Sequence, residues 1–288
     1  MANCMFGYPI HSDNANAALS AGSWEAALPL TNLADRRLAK VARSTDATTA
    51  STKFDVDLGA VRYIHAVALI GHNLSLAATV RIYADDNGGF ASPDYDSTAL
   101  PAIPDIYPSD MPQWEVVASR DGALSQEDYD AGYVPDFIHI CPSPQTERYW
   151  RIEIVDTANA DGYVQIGRLV IVSVYQPILN MDYGAGLGWQ TSSTSAETDG
   201  GATYHVDRKR RRIFNFVLPW VSDDEGLVHG FRLQQALGTS EQLLFVFDPA
   251  DTVHLHRRSM LCTLESLSPL VMPYLKEFEQ AVSLVEEL

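Results

Sequence analysis

Cysteine is scarce in this sequence. The 288 residues hold three, Cys4, Cys141 and Cys262, far apart and without CxxC spacing. That set excludes a disulfide framework and a thiolate zinc site, and leaves isolated thiols of a residue type that is usually buried. Positive charge is short as well: Lys and Arg number 20 against 37 Asp and Glu, for a formal net charge of −17. Sequence-independent nucleic-acid binding depends on cations that displace counterions, so nucleic acid is excluded as a partner. Acidity of this size favours solubility and repels anions. No apolar run approaches the ~18–20 residues of a membrane span, so membrane insertion is not expected. The opening "MANCMFGYPIHSDN" has no basic stretch followed by an apolar one, so no secretory signal is expected either, and the product is placed in a reducing cytoplasm.

Catalytic motifs are missing too. Nothing matches GxSxG, HExxH, GxGxxG or a Walker loop. "GAGLG", Gly184 to Gly188, has no preceding strand and no following amphipathic helix, which argues against a phosphate loop. Glycosidase carboxylates need no local motif, so catalysis is unsupported rather than excluded. The expectation is that the chain is not an enzyme and carries no cofactor and no metal.

What is present is alternation. In "KFDVDLG" Phe54, Val56 and Leu58 alternate with Asp55 and Asp57, a half-buried strand ended by Gly59. "YIHAVALIGHNL" reads as a strand buried on both faces, and "TVRIYADDNGG" as a strand followed by a turn. In "RYWRIEIVD" Trp150, Ile152 and Ile154 face a core while Tyr149, Arg151 and Glu153 face away; "NADG" turns the chain into a return strand reaching Tyr175. Residues 1–50 read as mostly irregular, anchored by Trp24 with Leu28 or Leu30, with a helical turn at "TNLADRR" capped by Thr31 or Asn32. Residues 90–135, rich in Pro, Asp, Ser and Gly, read as a long loop with a short strand at Trp114–Ala118.

A Gly/Ser/Thr-rich stretch after Pro177 marks a boundary. Beyond it "RKRRRIFNFVLPW", "EQLLFVFDP" and "TVHLHRRSMLCTLESL" read as strands. "SDDEGLVHGFRLQQALG" reads as a helix, with capping-box spacing at Ser222 and Glu225 and a stop at Gly238. Leu227, Phe231, Gln234 and Leu237 share one side, which is expected to pack on a sheet. The tail "YLKEFEQAVSLVEEL" fits a helix through Leu275, Phe278, Val282 and Val285, or an edge strand. The fold class is thus mainly β: an N-terminal jelly-roll β-sandwich with an irregular arm over 1–177, then a smaller α+β domain over 178–288, an antiparallel sheet with one packed helix.

Candidate sites are few. His254 and His256 are spaced to share a strand face and could meet a metal, but no third ligand is near. Asp85 and Asp86 before "NGG" could belong to a calcium loop, yet hairpin-turn acids suffice to explain them. Tyr95, Tyr107, Trp114, Tyr149 and Arg151 are the residues proposed for ligand or partner contact. The basic cluster "DRKRRR" offers Arg208, Arg210, Arg211 and Arg212 either to a subunit interface or to solvent.

Two resemblances go further. "FDVDLGAVRYIHAVALIGHNL", "TVRIYADD" and "RYWRIEIVD…NADGYVQIGRLVI" resemble the discoidin type of galactose-binding-like jelly roll, over about residues 20–176. That resemblance implies carbohydrate, lipid-headgroup or protein binding through loops at one end. "RIFNFVLPWVSDDEGLVHGFRLQQALGTSEQLLFVFDP", "RRSMLCTLESL" and "VSLVEEL" look like distal-tail or baseplate-hub proteins of long-tailed bacteriophages, over about 178–288. That implies that the tail peptide is a strand. It further implies a structural component of a virion tail tip or baseplate, made in the host cytoplasm. Such a component forms homo-oligomers (ring, trimer or hexamer) with other tail proteins, with contact to fibres or host glycans as an option. The alternative is a non-catalytic carbohydrate-binding module protein, and after it a glycan-cleaving enzyme.

Overall fold

The computed structural model describes residues 2–104, 124–130, 135–201 and 203–288. The chain divides into two compact units. Unit 1 comprises Met5–Tyr175 with Val246–Ser259, and unit 2 comprises Ala2–Cys4, Gln176–Phe245 and Met260–Leu288.

Unit 1 contains β1 (Met5–Ile10), β2 (Ala18–Ser20), β3 (Ala42–Arg43), β4 (Phe54–His72), β5 (Thr79–Asp85), β6 (Tyr95–Asp96), β7 (Leu100–Pro101), β8 (Phe137–Val155) and β9 (Gln165–Tyr175). Its antiparallel strands run in the order β1-β9-β4-β8-β5-β6. The sandwich turns on β4. Its first half pairs with the second half of β8, Phe54 opposite Ile152 and Val56 opposite Trp150. Its second half pairs with β9, Leu69 opposite Leu169, and with the start of β8. Gly59 does not end this strand, as expected from sequence, but bends it: φ is +74°, and a Cβ there would stand 2.8 Å from the Asn16 carbonyl. The register shifts between Asp57 and Arg62, so one 19-residue strand serves both parts of the sandwich.

Alternation then sets the core. Phe54, Val56, Leu58, Trp150, Ile152 and Ile154 are all 0–1% exposed and pack with Val80, Ile82, Ile166 and Ile171 in one cluster. Each such side chain contributes ~1.5–3 kcal/mol by leaving water. Leu30 is buried in that core and Trp24 packs against it, while "TNLADRR" forms a 3-10 turn over Leu30–Ala34 whose N-cap is Pro29 rather than Thr31 or Asn32. The N-terminal arm is less irregular than its composition suggests, because β1 pairs along β9 with Phe6 opposite Tyr175. "GYP" hides that alternation. The expected strand at Trp114–Ala118 lies outside the described residues.

Unit 2 contains β10 (Gly186–Gln190), β11 (Thr194–Glu197), β12 (Thr203–Val206), β13 (Arg211–Ser222), all but the last residue of β14 (Leu243–Val246), all but the first of β15 (Ser259–Leu264), β16 (Val271–Tyr274) and β17 (Glu277–Glu286). The sheet order is β10-β13-β17-β15-β14, while β11 and β12 pair only with one another. The C-terminal tail is therefore a strand. It lies inside the sheet rather than at its edge, with Phe278, Gln280, Val282 and Leu284 buried at period two.

The helix over 223–237 lies across that face. Ser222 caps it, its Oγ accepting from the Glu225 N–H at 3.3 Å, and Gly238 at φ +53° ends it. Its orientation bears out the expectation at Leu237, which is buried, and departs from it at Leu227 and Phe231. Gly226 and Gly230 meet the sheet: a Cβ would stand 2.9 Å from Phe278 at one and 2.6 Å from Gln280 Oε1 at the other. Leu227, Val228 and Phe231 point outward, more than half exposed. The apolar stripe misleads because the middle of the helix, Gly226–Phe231, is π-wound, which breaks the 3.6-residue period. Among the described residues no helix is long and apolar enough to cross a membrane.

Candidate functional site

Tyr149 and Arg151 come together on the outward face of β8, opposite the core side of Trp150. Arg151 donates from Nε and Nη2 to the two Asp55 oxygens at 2.6 and 2.8 Å, and its guanidinium carbon lies 4.3 Å from the Phe90 ring centroid. Arg148 holds Asp57 in the same two-pronged way, at 2.7 and 2.8 Å, and keeps that carboxyl below the ordinary aspartate range. Arg81 pairs with Asp96, and the Tyr83 hydroxyl donates to Glu153. The face is a lattice of internally matched ions. Tyr149 lies half-buried against Gly88. Tyr95 is elsewhere: it stands opposite Ala84, a core residue, its hydroxyl is 2.7 Å from His139 Nε2, and burial pushes its phenol up. Tyr107 and Trp114 lie outside the described residues.

One carboxylate oxygen each from Asp85, Asp86 and Asp94 falls within 4.8 Å of the others. Asp85 is buried and spends both oxygens on the turn, accepting from the Asn87 and Phe90 N–H groups. His254 and His256 do not share a strand face. The strand begins only at Ser259, and Leu255–Arg258 is a helical turn in which His256 is buried.

The arrangement that sequence reading missed is at one rim of unit 1. Arg43, on β3, donates from Nε and Nη2 to Gln165 Oε1 at 3.2 and 2.8 Å and lies 4.2 Å over the Tyr163 ring. Asn73, just past β4, donates to Asp161 Oδ2 at 2.8 Å and to the Tyr163 carbonyl at 3.2 Å, while its Oδ1 accepts from the Gln165 N–H at 2.7 Å. Beneath it, buried Asp156 accepts from Ser75 N–H and from Asn159 Nδ2 at 2.7 Å. Asp161 is exposed; Arg43, Asn73, Tyr163 and Gln165 are half-buried. A guanidinium, an amide, a carboxylate and an aromatic ring are thus fixed within one network. These are the groups that hydrogen-bond hydroxyls and stack on apolar ring faces. The only sequence signal was the turn chemistry of "NADG".

Unit 2 has the opposite character. Among the described residues, every large hydrophobic side chain that is markedly exposed lies in unit 2, except Val61, Tyr63 and Val155. Trp220, at φ +54° in a bulge of β13, stacks at 4.9 Å and 7° on Tyr274, and both rings are more than half exposed. The hairpin of β11 and β12 is exposed along its whole length. Of the basic cluster, Arg208 and Arg210 precede β13, and both are exposed, as is Arg211 at its start. Arg212 is held within the chain, donating from Nε to Glu286 Oε1 at 2.7 Å and from its backbone N–H to Oε2 at 2.8 Å.

No family model matches the sequence, and no curated protein matches it. Solved structures do. A family 32 carbohydrate-binding module from C. perfringens NanJ, in complex with galactose, is 16% identical over 59% of this chain and 99% of its own, at a TM-score of 0.37. CBM32-1 from a family 31 glycoside hydrolase of Clostridium perfringens is 13% identical over 55% and 95%, at 0.33. A mutant of the lectin binding domain of Lectinolysin, complexed with Lewis b, is 12% identical over 58% and 97%, at 0.37. Likenesses this slight assign the chain no ligand and no family, and nothing in the comparisons points to a phage tail or baseplate protein.

Proposed function

We propose that this chain is a non-catalytic binding adaptor: unit 1 recognises a carbohydrate at the Arg43–Asn73–Asp161–Tyr163 rim, and unit 2 joins the chain to copies of itself or to other proteins. One observation carries the reading, the division of surface chemistry between the units. Unit 1 pairs Arg81, Arg148 and Arg151 with its own carboxylates on the outward face of β8 and its neighbours and, among the described residues, shows few large apolar side chains, with a polar rim around an aromatic ring. Unit 2 leaves Leu227, Phe231, Trp220, Tyr274 and Leu275 more than half exposed. Trp220 and Tyr274 stack on one another and Leu227, Val228 and Phe231 share one helix, and apolar surface grouped in this way is costly in water and marks association. A virion tail tip or baseplate is the narrower setting, supported by the strand–helix–strand order over 178–288 that suggested it.

Two measurements test this. Glycan-array binding by the full chain should be lost in Tyr163→Ala and Arg43→Ala and kept in Arg151→Lys, which alters the ion lattice instead. Light scattering should show more than one copy per particle. A chain that hydrolyses the glycan, or that binds no glycan and stays monomeric, overturns the reading. Absence from purified virus particles removes the tail setting alone.

A further inference from the structure

We infer that the outward face of the 223–237 helix is a self-complementary surface that takes the same face of a second copy, antiparallel, about a two-fold axis near Val228. This rests on the association proposed for unit 2. The exposed positions along the helix include Asp224, Leu227, Val228, Phe231, Arg232 and Gln235, with Asp223, His229 and Ala236 flanking them. Leu227, Val228 and Phe231, at 52%, 53% and 59% exposure, form an apolar centre, while Gly226 and Gly230 lie against the sheet. The middle of the helix is thus turned with Gly226 and Gly230 inward and Leu227, Val228 and Phe231 outward, against the burial habit of Leu and Phe.

Charge identifies the occupant. Asp224 precedes Val228 by four residues and Arg232 follows it by four, which places opposite charges about one turn away on either side of the apolar centre. Neither side chain has an ion-pair partner among the described residues. An antiparallel copy centred on Val228 sets each Asp224 against the partner's Arg232, at both ends of the contact, while the two apolar centres bury one another. A two-fold contact of this kind is closed and uses one patch twice. A parallel copy, or a copy shifted by one turn, would leave the charges unmatched.

The test is sedimentation of the full chain over a concentration series. Asp224→Arg and Arg232→Asp are both exposed changes, and each sets like charges together at both ends, so each alone weakens association about tenfold or more. An equimolar mixture of the two variants restores it, as does a chain carrying both changes. Phe231→Ser weakens association about tenfold or more without rescue. If the wild type associates and none of these variants alters it, the inference fails while association through another surface stands. If the single changes weaken it and the mixture does not recover, the two-fold pairing is overturned. A wild type that remains monomeric throughout overturns both this inference and the association of unit 2.

Discussion

Arg168 donates from Nη2 to Asp13 Oδ2 at 2.5 Å, and the arginine side chain is fully buried while the aspartate is one-fifth exposed. The pair is unequal in what it leaves behind. Removing Asp13 strands a cation in the interior of unit 1, with Nε and Nη1 already lacking a protein partner among the described residues. Removing Arg168 leaves a carboxylate that is one-fifth exposed to water, although its Oδ1 is buried without a protein partner among the described residues. Breaking a buried pair costs about 3–5 kcal/mol when the remaining charge stays buried. Asp13→Ala is therefore expected to lose that much, and Arg168→Met distinctly less, in urea unfolding of the full chain. Equal losses would show that burial does not set the cost.

Acid should weaken unit 1 through its buried histidines. Burial pushes His72 down to about 4, and does the same to His11 and His139. The His72 Nδ1 accepts from the Leu74 N–H at 3.3 Å, so the folded state holds it neutral. The unfolded chain takes up protons near pH 6.5, so between about 6.5 and 4 it binds more protons than the folded one. Stability is full above that window and falls as pH drops through it, by roughly 3 kcal/mol for His72 alone. His72→Asn keeps an acceptor for Leu74 and should flatten the decline. Urea midpoints at pH 7 and pH 4.5 measure it.

Period-two alternation was the legible part of the fold. Trp150, Ile152 and Ile154 are core and Tyr149, Arg151 and Glu153 face away, because a pleated strand leaves no other choice. Ser222 caps the helix where its spacing announced, accepting from the Glu225 N–H, while the Glu225 carboxylate accepts from the Ile178 N–H. Three things were not legible. Gly59 reads as a strand end, but sequence does not distinguish a stop from a bend. The helix orientation depends on a π-turn that the apolar spacing cannot register. The rim depends on residues separated by up to about 120 positions, Arg43 with Gln165 and Asn73 with Asp161, which only the closure of the sandwich brings together.

The cysteines should be inert in the native chain. Cys4, Cys141 and Cys262 are free and buried, and burial pushes the first two thiols up to about 12 and about 11 and the third higher still. The thiolate is the reactive form, so little is present at neutral pH. An aromatic disulfide reagent should titrate none of them in buffer and all of them in guanidinium. Rapid reaction of one thiol in buffer would mean that its strand opens locally.

Two substitutions one residue apart decide how the 223–237 helix faces. Helix propensity alone favours Gly226→Ala by about 1 kcal/mol. In the folded chain the new Cβ would stand 2.9 Å from the Phe278 ring, a contact that something must relieve, so a net loss of about 1–2 kcal/mol is expected. Leu227→Ala removes a side chain that is half exposed and should change the stability of a dilute, unassociated chain by no more than about 0.5 kcal/mol. The opposite orientation, with Leu227 in the core, predicts a loss of about 2–5 kcal/mol for Leu227→Ala and a gain for Gly226→Ala. Thermal unfolding of the two variants therefore gives opposite rankings for the two orientations, and the glycine-inward helix requires Gly226→Ala to be the more damaging change.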